Sequence, residues 1–238
     1  MLVTGDFTGM LRSPPESLSS RRSVPSTIGD MSREWRGLVT ALLAGLGSGV
    51  FAKFADESAA IGLVGDLLTG VSPWLLAAAL LARFAPTPGV AALRVALFFV
   101  AMCAGYFGYA DLVLDFPGPG PYALAWLFVS VTVMPALAFA YHWASRGRGV
   151  KQGLVAAAVA AGAAGFGQTR RAWLLWDSGF PQEQLLVPAL VEILVCLLVA
   201  VVLPRHGLTR RAAALALVPT VVLTGVLANR FFDWMPFF

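Results

Sequence analysis

Charge is what this chain has least of. Asp, Glu, Lys and Arg make up 13% of its 238 residues, against 58% hydrophobic residues, and the mean hydropathy is +0.76. A water-soluble domain needs a charged skin, and there are too few charges here to make one. Lysine is scarcer still: Lys53 and Lys151 stand beside 15 arginines. Neither lies within a late apolar run, which excludes a retinal-type Schiff base. The two histidines, His142 and His206, have no further His or Cys at ligand spacing, so no zinc or haem site is expected. Cys103 and Cys196 lie inside apolar runs as small hydrophobes, with no disulfide framework. Glycine-rich stretches lack the strand–loop–helix context of a phosphate loop, and there is neither a nucleophile elbow nor an HExxH. No cofactor and no metal are expected.

What the sequence has instead is long apolar runs. Seven can be marked, at about 37–55, 59–83, 90–113, 121–143, 152–169, 184–203 and 211–231. Each offers close to the ~20 apolar residues that a helix needs to cross a bilayer. The expected fold is an all-α integral membrane protein, a seven-helix transmembrane bundle over residues 36–238.

The basic residues fix an orientation. With the N-terminus inside, the inner set is Arg12, Arg21, Arg22, Arg33, Arg36, Arg83, Arg94, Arg146, Arg148, Lys151, Arg205, Arg210 and Arg211. The outer set is Lys53, Arg170, Arg171 and Arg230. Lys and Arg are retained on the cytoplasmic side, so the expectation is a plasma (inner) membrane protein with the C-terminus outside. The pI near 9.5 follows from these loops, and no nucleic-acid partner is expected. The heavy use of Arg, Ala and Gly hints at a GC-rich bacterial genome.

Residues 1–35 are rich in Ser, Pro and Arg and read as a disordered cytoplasmic tail. They hold no apolar run of signal-peptide length. Met31 is followed almost directly by the first span, so a start at either methionine leaves the membrane domain intact.

Two runs carry packing signals. The stretch Gly153–Gly167 is nearly all Ala and Gly, with small residues four apart (Ala158 and Gly162, Ala161 and Gly165), which predicts a central helix surrounded by protein. Gly45, Gly47 and Gly49 offer a similar surface in the first span. The second run contains Gly62, Gly65, Asp66 and Gly70 before Ser72-Pro73-Trp74. Ser at an N-cap and Pro at the first helical position predict a break there, with 59–70 as a short half-helix and 73–84 as its continuation.

The acids are placed unevenly. Beyond the tail every carboxylate is external or inside an apolar run, and the cytoplasmic loops have none. Asp111 and Asp115 sit four apart and share a face if the third helix continues that far. Glu192 is the sharpest signal, mid-run among Leu, Val, Ile and Ala. An ionised side chain at the bilayer centre costs at least ~2.5–3.5 kcal/mol, so Glu192 must face the bundle interior. Asp66 is the second candidate for a buried catalytic or coupling acid. Arg230 and Arg170 could pair with these acids or receive an anionic group, although an Arg at a span end more often snorkels to the interface. Outer aromatics, Tyr109 and Trp176 among them, fit both an interfacial belt and the wall of an external pocket.

The segments Ala52–Ser58, Ser72-Pro73-Trp74 and Val90–Val100 resemble an uncharacterised family of small bacterial multi-pass membrane proteins, over about the first half of the membrane region. That resemblance brings no assigned activity. The size and span count are also similar to those of small integral-membrane terpene cyclases, but their aromatic-Asn-Trp-Glu type signature is missing. Three functions stay open. One is small-molecule binding or transport through an outward-facing polar and aromatic cavity. Another is acid catalysis on a lipid or isoprenoid within the membrane. The third is an accessory subunit whose acids only pair helices. The partners expected are the lipid bilayer and a hydrophobic small molecule or lipid; nothing sets the oligomeric state.

Overall fold

The structure, a computed structural model, describes residues 27–58, 70–116, 120–162 and 182–234. Among these residues every regular element is helical. The order is α1 (Thr27–Glu57), α2 (Val71–Phe84), α3 (Pro88–Leu114), α4 (Pro121–Val131), α5 (Val133–Arg146), α6 (Val150–Gly162), α7 (Gln182–Leu197, continued by a π-turn at Leu198–Val202) and α8 (Gly207–Trp234). Four segments are long and apolar enough to cross a membrane: Glu34–Glu57, Pro88–Leu114, Tyr122–Arg146 and Gly207–Leu227. Shorter apolar helices occupy Val71–Phe84, Val150–Gly162 and Val187–Val202.

Proline explains two irregularities. Pro135 has no N–H to give the carbonyl of Val131 and its ring crowds that carbonyl, so the fourth apolar run breaks into α4 and α5 at Thr132 (φ −118°, ψ −67°). Pro204 follows the π-turn, in which Leu203 N–H bonds five residues back to Leu198 at 2.9 Å. Other ends are specified locally. The Thr87 hydroxyl accepts the Val90 N–H at 3.2 Å to open α3. Asp115 closes that helix in the left-handed region (φ 51°), with its own N–H and that of Phe116 both bonded to Ala110.

Three sequence expectations change. The helix begins at Thr27, inside the segment expected to be a disordered tail. The last proline in that segment is Pro25, ahead of the helix. The second break is displaced: Gly70, not Ser72, is the N-cap, and Pro73 sits in the first turn, where no N–H is needed. The proposed half-helix 59–70 lies outside the described residues except for Gly70. Finally, α3 stops at Leu114. Asp115 is therefore its cap and does not share a helical face with Asp111.

Among the described residues α1 and α3 pack most closely, and they run parallel. Gly37 lies against Arg94, Gly45 against the Phe98 carbonyl, and Gly49 against the Met102 carbonyl. A Cβ on Gly45 or Gly49 would stand 2.1 Å from those oxygens, and one on Gly105 would stand 2.3 Å from Leu46 O. Only glycine permits this approach. On the other side, one face of α6 packs against α7 and α8, while Ala158 and Gly162, a pair expected in the packing surface, are exposed. Ala156, Ala157, Ala160 and Ala161 are fully buried, while Val150 and Leu154 face outward. The Cys196 thiol reaches the Ala160 carbonyl at 3.4 Å, and the Thr224 hydroxyl reaches that of Ala161 at 3.0 Å.

Candidate functional site

Helix ends gather at two poles. At one, the C-termini of α2, α5 and α7 meet the N-termini of α3, α6 and α8. Their orphan carbonyls are taken by basic and hydroxyl side chains. The Arg146 guanidinium donates to the carbonyls of Arg83, Ala85 and Pro86, and Arg83 Nε donates to Leu203 O at 3.0 Å. His142 Nδ1 contacts Ala82 O at 2.8 Å, and His206 Nε2 contacts Arg146 O at 3.1 Å. Thr209 donates to Gly147 O at 2.9 Å and accepts from Gly149 N. Loops 85–87, 147–149 and 203–206 are thereby tied into one plate, and none contains a carboxylate.

At the opposite pole lie the C-termini of α1 and α3. Lys53 is only 8% exposed. Its ammonium pairs with Glu57 and, at 3.8 Å, with Asp56. It also lies 4.7 Å from the Phe116 ring centre and 5.3 Å from that of Tyr106. Tyr106 completes the group by donating to Asp56 Oδ2 at 2.8 Å. The sequence alone places Lys53 in the outer set of loop cations. The signal was there in its spacing of three and four residues from two acids.

Beside this group an open groove of about 480 Å³ follows the outer face of α1, lined by Leu43, Leu46, Gly47, Val50, Phe51, Phe54 and Tyr109. It is apolar, and Tyr109 is the one predicted site residue in its wall. Asp111 and Asp115 are exposed near the same pole, and Arg230 is exposed near the end of α8.

Glu192 lies elsewhere, on α7, which packs against α2 and α6. It is 2% exposed and sits between two interruptions: Pro188, buried one turn earlier, and the π-turn that starts at Leu198. Proline withdraws one helical hydrogen bond and the π-turn shifts the ladder by one residue. The helix segment that carries the buried acid is therefore flanked by two places where it can bend. Tyr141 donates to Val199 O inside the π-turn at 2.7 Å.

The structure thus brings Tyr109 to the α1–α3 groove and separates it from Glu192. Asp66, Arg170 and Trp176 lie outside the described residues. Among those residues no cluster of three or more His, Cys, Asp or Glu side chains could hold a metal ion.

Among the described residues the protein is all-helical, with four segments long and apolar enough to cross a membrane. The chain belongs to DUF6518, a family of unknown function, whose model matches residues 29–233. No curated protein and no solved structure matches the chain.

Proposed function

We propose that this chain crosses the plasma membrane seven times, with its N-terminus cytoplasmic, and binds or translocates a small molecule using Glu192 as its buried charge. Helix polarity supports the span count. The ends of α2, α5 and α7 meet the starts of α3, α6 and α8 at one pole, as an alternating path requires. The basic loops are the cytoplasmic ones on this reading.

The observation that carries the functional part is the placement of Glu192. A carboxyl 2% exposed within an apolar helix is costly to keep, and such residues mark ion and substrate pathways. A helix interrupted on both sides of that acid is the device by which membrane proteins let a site change access. Ligand contact through the outer pole, where Tyr109 and the α1 groove lie, would follow when α7 bends. The test is untargeted mass spectrometry of small molecules co-purifying with wild type and with Glu192→Gln at equal yield. A molecule enriched on one and depleted on the other supports the reading. Identical profiles from two equally stable proteins overturn it and favour the accessory-subunit role.

A further inference from the structure

The arginines at the basic pole do more than cap helices. Arg83 lies within electrostatic range of Arg205, Arg146 and Arg210. The ion pairs formed between described residues are both Lys53's, at the other pole, so no described carboxylate balances this group. Some guanidinium capacity goes to backbone: Arg83 Nε to Leu203 O, the Arg146 terminal nitrogens to three carbonyls, and Arg210 Nε to Pro204 O at 2.6 Å. Helix C-termini carry only about half a negative charge each. Four cations held together are therefore under-compensated. Arg146 Nε is moreover buried without a hydrogen-bond partner among the described residues, and the Arg205 side chain, exposed, makes no hydrogen bond among them.

The surroundings of this cluster are apolar and outward-facing. Phe84 is 70% exposed beside the Arg83 guanidinium, whose carbon lies 5.7 Å from its ring centre. Val202 and Leu208 are exposed on the flanking helices. A concentrated positive charge set at the ends of apolar helices complements one kind of molecule: an anionic phosphate head joined to acyl chains. We propose that Arg83, Arg205 and Arg210, around the Leu203–Pro204 turn, form a site for the phosphate headgroup of an anionic phospholipid. Its chains would lie along Phe84, Val202 and Leu208. This site is independent of Glu192 and lies on different side chains.

The test is native mass spectrometry of the full chain in mixed micelles containing phosphatidylglycerol or phosphatidylcholine. Wild type is expected to retain phosphatidylglycerol selectively. Arg205→Gln with Arg210→Gln should weaken that retention roughly fivefold for each arginine lost, and the corresponding double Lys variant should restore it, because charge and not fork geometry is needed. Circular dichroism checks that each variant is folded; if the double Gln variant is not, Arg205→Gln alone carries the comparison. Equal retention of both lipids by wild type, or undiminished selectivity in the Gln variant, overturns the proposal. Displacement of phosphatidylglycerol by millimolar inorganic phosphate, with equal thermal protection, would assign the site to a free anion and also overturn it.

Discussion

The Tyr141 hydroxyl donates to the carbonyl of Val199 at 2.7 Å, both groups being buried. This bond fastens α5 to the π-turn that ends α7, at a carbonyl that Pro204 and the widened turn leave short of regular helical partners. The consequence is that one of the two interruptions flanking Glu192, the π-turn, is tied to α5.

Replacing Tyr141 with Phe removes that donor and leaves the Val199 carbonyl buried without it. The expected loss is about 1–3 kcal/mol, read as a lower unfolding temperature of the purified protein. A Phe variant as stable as wild type would show that the π-turn does not depend on this bond.

Two glycines of α1, Gly47 and Gly49, are predicted to behave differently. Gly49→Ala places a Cβ 2.1 Å from Met102 O, so α1 and α3 must separate, at a cost of about 1–3 kcal/mol. Gly47→Ala meets nothing within 4 Å and should stabilise the helix by up to ~1 kcal/mol. Unfolding of both variants in detergent gives the comparison, and opposite signs are the expected outcome.

The proposed orientation is checked by cysteine accessibility. Cys103 and Cys196 are buried and should stay silent to a membrane-impermeant maleimide. Asp115→Cys should label in intact cells, and Arg148→Cys should label only after permeabilisation. The reverse pattern would invert the chain.

At the outer pole, Lys53→Met should leave Asp56 and Glu57 without their cation. Both acids are more than a third exposed, so solvent limits the loss from the pairs to at most ~1 kcal/mol. A larger drop in the unfolding temperature would assign the excess to the aromatic contacts with Tyr106 and Phe116.

Much of the architecture was legible because it depends on composition along one segment. Helices occur at each of the seven apolar runs, and in the Ala/Gly run Ala156, Ala157, Ala160 and Ala161 are buried, because small side chains permit close backbones, whereas Ala158 and Gly162 are exposed. The break at Thr132 was missed although Pro135 announces it, since the run read as one apolar stretch. What could not be read depends on which helix ends meet. Arg83 and Arg146 read as orientation signals alone; that they cap neighbouring helices follows from loops about 60 or 120 residues apart in sequence. Lys53 was scored as a loop charge because hydropathy does not register a cation already paired one turn on. The burial of Glu192, by contrast, follows from its apolar neighbours in sequence. Asp66, Arg170 and Trp176, the other halves of the expected vestibule, lie outside the described residues.

On the proposed reading, α7 gives the Glu192 carboxyl access to a membrane-borne ligand. Dicyclohexylcarbodiimide, an apolar reagent for carboxyl groups within membranes, tests it in native vesicles with peptide mass spectrometry as the readout. The account predicts a single adduct on Glu192, absent from Glu192→Gln and slowed by whatever molecule co-purifies with wild type. An unmodified Glu192 in vesicles, with ready labelling once the protein is unfolded, would show a sealed structural acid and contradict the account.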